Sequence, residues 1–522
     1  ESSETKGTVG TFGLTKGKWY WEIKAVDVGA DTQIGIYDSS DGNGFATSYL
    51  GENTSSWGII SSNGNTIHNT SQASYGSGFS DNDILQVALD MDNGKWYVGK
   101  NGTYFNSGNP ATSTNPAHTS IDSGTGTIFP AISNNTANNI DYQFNFGNAP
   151  FSISSGNSDA NGHGTFEYAV PSGFLSLCTA NLPDPVATID PAKGGSPQDY
   201  FNTVLYTGNA TQRDITGVGF QPDWTWIKQR SSTYSHVLGD SVRGDNKFLS
   251  SNGSGAEETD DSKFRTFVSD GFQIGTHNGV NQNNETYTSW NWKAGTAFTN
   301  DASATSVGSI DSSGSVNTDV GFSIIKWTAV ASSATQTMAH GLGAVPKMII
   351  MKNRERAVDW AVYHEGLGNT HGLELNTTDA SADDSGWWND TTPTSTVFTT
   401  GNGNGYRTGG VAEDYIAYCF AEVDGYSKFG LYTGNGNADG TFVYTGFRPA
   451  FLIIKSLTSE TGWRIYDSKR LGFNVTNNAL YANDGGGEDA ANDHIDLLSN
   501  GFKMRRNNVS NTNGVSYIFM AF

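Results

Sequence analysis

Little in this sequence supports a covalently stapled, membrane-spanning or nucleic-acid-binding protein. Only two of its 522 residues are cysteine, Cys178 and Cys419, too few and too far apart for a disulfide framework or a zinc-type cluster. Cys419 lies in the apolar run YIAYCF and reads as a small buried hydrophobe. No run approaches the roughly 18 apolar residues of a membrane helix, so no membrane insertion is expected. Lys and Arg number 30 against 52 Asp and Glu, a formal net charge of -22. Such a surface repels phosphate backbones and predicts no nucleic-acid partner. The chain opens ESSETKG, with neither Met nor the apolar stretch of a signal peptide, as expected of a processed product or of part of a longer chain.

What the chain does have is glycine, 64 residues, and aromatics at 12%. Aromatic content at that level argues against disorder. Short apolar runs punctuated by Gly, Asn, Ser and Thr read as strands joined by turns. An all-β protein is predicted, and at about 150 residues per domain its length suggests three or four domains.

A repeat organises the C-terminal two thirds. Pro222 begins PDWTWIK, Pro346 begins PKMIIMK and Pro449 begins PAFLIIK, so that Lys228, Lys352 and Lys455 each follow six residues after the proline. Apolar residues on both alternations predict strands buried on both faces. After 59, 63 and 62 residues come YTSWNW at Tyr287, YIAYCF at Tyr415 and YIFMAF at Tyr517. Upstream stand Tyr206-Thr207, Trp327-Thr328 and Tyr432-Thr433, each Thr lying 15 to 18 residues before its proline. Gly271-Phe272 and Gly501-Phe502 mark the outer copies, whereas the middle copy has Thr399 at the glycine position. Three tandem β modules of about 100 residues follow. In the closing strands, Trp290 and Trp292 share a face, as do Tyr418 and Phe420, and Met520 and Phe522. That face is expected to pack on the proline-started strand.

The first 155 residues follow another grammar. GKWYWEIKAV places Trp19 and Trp21 on one face of a strand, with Tyr20 and Glu22 on the other. VALDMDNGKWYVGKNG predicts a hairpin turning at Asp92-Asn93-Gly94. These phrases, with IGI and the terminal FNFGNAPF, resemble the SPRY domain. The resemblance implies a two-sheet, jelly-roll-like sandwich whose partners are gripped by variable loops, here 38–57 and 106–127. Further on, PSGFLSLCTANLPDP and the phrases around HGLGAVPKMIIMKNR resemble repetitive virion-type proteins of tailed, particularly marine, bacteriophages. That resemblance implies a setting on a particle surface rather than a chemistry.

The expected organisation is a SPRY-like sandwich over 1–155, a proline-rich linker over 156–196 and a first repeat over 197–297. A Gly/Ser/Thr linker over 298–318, a second repeat over 319–424 and a third over 425–522 complete it. The short junction AEVDGYSKFG predicts close docking of repeats two and three.

No segment demands catalysis, and no catalytic residues, cofactor or metal are assigned. His364, Glu365 and His371 lack the i, i+4 histidine spacing of a zinc helix, and Gly366 and Gly368 argue for a loop. Asp90, Asp92 and Asn93 fit a hairpin turn better than a calcium site. GAEETDD, 255–261, reads as a solvated acidic loop. Paired carboxylates for glycoside hydrolysis need no sequence signature, which leaves a glycan depolymerase as one alternative. Gly/Asn/Ser/Thr loops with aromatic rings suit carbohydrate, and SGWWND supplies the candidate ligand-binding residues Trp387, Trp388, Asn389 and Asp390. The competing reading puts one of those tryptophans in the core and one at its rim. The functional expectation is a phage virion protein (tail fibre, spike or head decoration) at the virion surface, in an extracellular setting, that binds host-surface glycans. Its expected partners are other virion proteins and further copies of itself, a trimer being the common form for fibres. A cement or spacer protein without ligand is the other alternative.

Overall fold

The computed structural model describes residues 6–29, 31–39, 48–121, 127–135, 140–182, 184–330, 335–401, 407–409, 412–470, 474, 478–490 and 495–522. Nearly all its regular elements are strands, as the sequence predicts. Two units divide the chain, Glu1–Asp184 and Pro185–Phe522.

In the first unit the alternation of KWYWEIKAVD sends Trp19, Trp21, Ile23 and Ala25 into one core. This strand, Lys18–Asp27, lies between Asp141–Asn145 and Ile84–Asp90, and Lys95–Lys100 and Thr103–Tyr104 extend the sheet. The opposing sheet runs Lys6–Val9, Ile128–Asn134, Thr32–Asp38, Ser56–Ile60, Thr66–His68 and Ser71–Ala73. Ile34, Ile36, Trp57 and Ile59 face the same core from that side. The result is the two-sheet sandwich that the SPRY resemblance implies.

The stretch expected as linker over 156–196 is folded along its first part. Glu22, on the far face of its strand, is buried and accepts hydrogen bonds from the Glu167 and Tyr168 N–H groups at 3.0 and 2.8 Å and from Tyr20 Oη at 3.0 Å. Phe166 and Phe174 cover Tyr20 and Tyr97, and Leu175–Ser176 adds a short parallel strand beside Trp19 and Tyr20. A second aromatic face on the sheet needs a cover, and this segment supplies it. Pro171 opens a turn in this layer, its carbonyl accepting from the Phe174 N–H at 3.0 Å.

In the second unit each repeat builds a main sheet around the same four-strand order and a smaller second sheet. The first main sheet is ordered Phe201–Thr207, Thr286–Trp292, Trp224–Gln229, Val237–Asp240. Its counterparts are Phe322–Thr328, Asp414–Phe420, Met348–Asn353, Ala361–His364 and then Lys428–Thr433, Ser516–Ala521, Phe451–Ser456, Arg464–Asp467. Register repeats as well: Lys228 lies opposite Thr288, Lys352 opposite Ile416 and Lys455 opposite Ile518. The closing strand is therefore hydrogen-bonded beside the proline-started strand, not packed face-on against it as the sequence suggested.

One face of each main sheet meets a small sheet of its own module. In the first and third modules that sheet has three strands, and Gly271 and Gly501 lie in it. A Cβ there would stand 1.9 Å from Ile215 O and 2.1 Å from Val443 O, which explains the Gly-Phe marker. The middle module, with Thr399, has a two-stranded sheet instead.

The other faces of all three main sheets enter one common core. Trp224 of the first module stacks on Tyr418 of the second at 4.3 Å, Phe420 meets Phe522 of the third at 5.9 Å, and Phe451 meets Trp292 at 5.4 Å. The modules are thus arranged cyclically around a shared centre rather than strung as separate domains. Each large side chain buried there stabilises the arrangement by about 1.5–3 kcal/mol.

The second expected linker, 298–318, is also structured. Thr296–Asn300 and Ser312–Asn317 form a hairpin that adds two strands to the main sheet of the second module through Phe322–Thr328. Its Gly, Ser and Thr residues belong to an edge exposed on one side, where apolar alternation is not required.

Candidate functional site

The polar residues of the repeat converge first at the junctions between modules. The Lys228, Lys352 and Lys455 side chains are buried, and burial pulls each ammonium down to about 8. Lys352 Nζ donates to Ser254 O of the first module at 3.1 Å, and Lys455 Nζ donates to Thr378 O of the second at 2.9 Å. Lys228 donates to Gln229 O at 2.6 Å and feels Asp484 and Glu488 of the third.

A ring N–H near each lysine does the same work. Trp360 Nε1 donates to Ser250 O at 3.0 Å, Trp463 Nε1 to Glu374 O at 2.8 Å, and His236 Nε2 to Tyr481 O at 2.9 Å. The backbone N–H groups of Glu257, Ser381 and Glu488 donate to Arg354 O, Leu457 O and Arg230 O. The side-chain contacts run second to first, third to second and first to third, the backbone N–H groups donate in the opposite sense across the same three junctions, and the chain closes a ring.

Charge reinforces two of the junctions. Glu257 accepts from Arg354 at 2.9 and 3.0 Å and lies 3.6 Å from Arg243. Glu488 likewise receives Arg230 at 2.5 Å and Arg470 at 3.4 Å. GAEETDD is therefore not simply a solvated loop, because its Glu257 is held by arginines from two modules. The third junction has Leu457 and Leu367 where the others have arginines, and among the described residues no such bridge forms there.

The buried carboxylates here are saturated. Asp240 accepts from the Val242 and Arg243 N–H groups, from the Arg243 guanidinium and from Tyr418 Oη. Asp467 accepts from the Lys469 and Arg470 N–H groups, from Arg470 Nε at 2.6 Å and from Trp290 Nε1 at 2.9 Å. A carboxylate with its lone pairs so occupied has no free position from which to take a substrate proton.

The candidate ligand platform falls elsewhere. Trp387 and Trp388 are only 2% and 1% exposed, so neither presents a ring face to a sugar. Both lie in the core between the two sheets of the second module, with Gly372 leaving room for the Trp387 ring at 2.2 Å from where a Cβ would stand. Asn389 and Asp390 are exposed in the following turn at φ +53° and +47°. The four residues do not form a joint binding face.

Other candidates resolve into structure. His364 is buried, accepts from the Gly366 N–H and donates to Phe519 O at 3.0 Å, while His371 bonds Thr370 on a separate strand. Asp90 pairs with Lys18 at 2.9 Å and accepts from Asn93, which the hairpin turn requires. Among the described residues no group of His, Cys, Asp and Glu is placed to hold a metal ion. Of the sandwich loops expected to grip partners, residues 40–47 and 122–126 lie outside the described residues. Within 106–121, Lys95 Nζ donates to Ser113 O and Trp96 N–H to His118 O, which ties that loop to the sheet.

A groove of about 800 Å³ opens where the added hairpin meets the main sheet of the second module. It is lined by Asp301, Asp311, Lys326, Trp327, Arg354 and Asp414, with hydroxyl side chains between them. The sequence analysis missed it because its walls come from a supposed linker. The available signal was Trp327, which stands where the other two modules have Tyr206 and Tyr432.

The fold and these surfaces define a SPRY-type sandwich followed by a closed ring of three β modules. The SPRY family model matches residues 18–149. A family model described as a domain of unknown function (DUF7483) matches residues 196–522, and the chain belongs to that family. Of solved structures, the SPRY domain of human HERC1 is 19% identical, covering 27% of this chain and 83% of that one at a TM-score of 0.21. A human SPRY domain is 17% identical, with 28% and 86% covered and a TM-score of 0.21. No curated protein matches the chain.

Proposed function

We propose that the protein is a non-catalytic binding and structural protein of a tailed-bacteriophage virion, displayed on the particle as a tail fibre, spike or head decoration, where it adheres to host-surface glycans. The observation that carries this reading is the fate of the repeated polar groups. The buried Lys, His, Asp and Arg side chains, the groups best suited to chemistry, are engaged in joining one module to the next. What remains for function is surface: the loops of a SPRY sandwich and the polar groove of the second module. A net charge of -22 keeps such a surface dispersed and disfavours nucleic acid. Other virion proteins and further copies of the chain are the proposed partners.

Immunogold electron microscopy of purified particles, with antibody raised against the first unit, tests the setting. Gold on fibres, spikes or the head surface supports the proposal and assigns the position. Protein detected in the lysate with no gold on any particle overturns it. Loss of polysaccharide viscosity on incubation with the protein would replace the non-catalytic reading with the depolymerase.

A further inference from the structure

We infer that the outer edge of the first module's main sheet, Phe201–Thr207, pairs antiparallel with the same strand of a second copy of the chain, so that two copies share one continuous sheet. This gives a place to the contact between copies named among the partners above, and rests on that reading in this respect alone.

The three modules treat the equivalent edge in three ways. Tyr206, Trp327 and Tyr432 hold the same position, opposite Tyr287, Tyr415 and Tyr517 of the closing strands. Alternate residues of each edge strand bond to that inner neighbour, in step with Gly208 N–H to Glu285 O, Ala329 N–H to Glu413 O and Gly434 N–H to Val515 O. The residues between them turn their main-chain groups outward. These are Thr203 and Leu205 in the first module, Ile324 and Lys326 in the second, and Phe429 and Leu431 in the third.

In the second module another strand of the same chain takes the outward groups, with Ser315 opposite Ile324 and Ser313 opposite Lys326. The ring therefore accommodates an added strand at this position. In the third module the edge is blunted. Glu422 accepts from the Phe429 N–H at 3.3 Å and pairs with Lys428 at 2.7 Å, and the second module's Gly366 packs against Leu431, with 3.2 Å from a Cβ built there to Leu431 Cβ.

The first module has neither device. FNTVLYT contains no charged residue and no proline, and among the described residues its only ladder partner is Thr286–Trp292. Leu205 is 38% exposed, and Thr207 is exposed beside it. Thr207 O accepts from Arg213 and keeps its second lone pair. An uncharged edge with an exposed leucine is a template for a further strand.

The strand itself points to the occupant. Antiparallel pairing about a twofold axis at Leu205 sets that leucine opposite its own copy, and the main-chain groups of Thr203 opposite those of Thr207 of the partner subunit. The apolar side chain exposed in one copy is thereby covered by the other. A net charge of -22 opposes contact between copies, and it does so least at an uncharged strip.

Sedimentation velocity of the full chain at micromolar concentrations tests the pairing, and a dimer is expected. Leu205→Pro removes only an outward N–H, and Leu205→Lys sets two ammonium groups face to face. Each is expected to weaken the dimer roughly tenfold or more, and an unchanged melting temperature for Leu205→Lys shows that the module itself is intact. Ala297→Pro, on the outer strand of the second module's hairpin, is expected to leave the dimer unchanged. Hydrogen exchange at the Thr203 and Leu205 amides is expected to slow in the dimer, whereas Val204 and Tyr206, already bonded inward, stay as they are. Monomers throughout, or a trimer, overturn the pairing. So does a dimer that Ala297→Pro disrupts, or one that neither change at Leu205 alters. None of these results bears on the particle labelling, which tests the virion reading by itself.

Discussion

Replacing Asp467 by Asn leaves the shape of the third module almost untouched and removes one charge from a fully buried site. Its carboxylate is fully buried and holds Arg470 Nε at 2.6 Å, while Trp290 of the first module donates to it at 2.9 Å. An amide turns an NH₂ group toward one or both of those donors. Arg470 then keeps two carbonyl partners, Ile465 O at 2.9 Å and Asn478 O at 2.7 Å, and of its two carboxylates only the more distant one, Glu488 at 3.4 Å. Breaking a buried pair from one side costs about 3–5 kcal/mol when the surviving charge is left uncompensated, and the more distant Glu488 puts this variant toward the lower end. Arg470→Leu breaks it from the other side at a similar cost. The double variant removes both charges, and its cost should fall short of the sum by at least about 2 kcal/mol. The second module already shows that the position tolerates neutrality, with His364 and Leu367 in the equivalent places. Urea unfolding followed by tryptophan fluorescence measures all three. Single variants within about 1 kcal/mol of the parent, or two singles that simply add, would refute the view that this pair ties the first and third modules.

Acid should loosen the ring through its histidines. His236 accepts from Trp226 Nε1 on one nitrogen and donates from the other, and burial pulls it down to about 3, His364 to about 4. Because the unfolded chain takes up those protons first, stability is lost as pH falls from about 6.5 toward 4, and melting temperatures across that range should drop less steeply in a His236→Gln, His364→Gln variant. The lysines act at the other end: with folded values near 8 against an ordinary 10.5, stability should rise between pH 8 and 10, by at most roughly 3 kcal/mol per lysine, as read by urea midpoints. Lys352→Met strips three carbonyls of their donor and should cost about 1–3 kcal/mol near neutral pH, measured the same way. Glu22→Ala should raise hydrogen exchange at the Glu167 and Tyr168 amides and open 156–176 to protease while the sandwich core stays protected.

The strands and the threefold repetition were legible because apolar runs, prolines and turn residues are local signals. Closure of the modules on one another was not. PAFLIIK announces a strand buried on both faces, and nothing in it says that one cover is its own small sheet and the other a neighbouring module. The same holds for YTSWNW, whose Trp290 proves to be a donor to Asp467 from 177 residues away. Composition misled where a polar strand occupies a sheet edge, as in the 296–317 hairpin, and where a stretch rich in turn residues covers a second aromatic face, as Phe166 and Phe174 do. Trp387 and Trp388 misled for a different reason: their flanking Ser, Asn and Asp residues are surface turn residues, while the indoles themselves point into the second module's core. Trp327 was visible as a landmark, but the groove it lines is a property of three-dimensional surroundings.

The most direct test of the closed ring is native-state hydrogen exchange on the full chain and on a chain ending at residue 424. If the three modules share one core, removing the third exposes Trp292 and Phe420 together, and the amides of Trp224–Gln229 and Met348–Asn353 lose their protection in both remaining modules. Unchanged protection of those two strands in the shortened chain would contradict the shared core and return the repeats to independent domains.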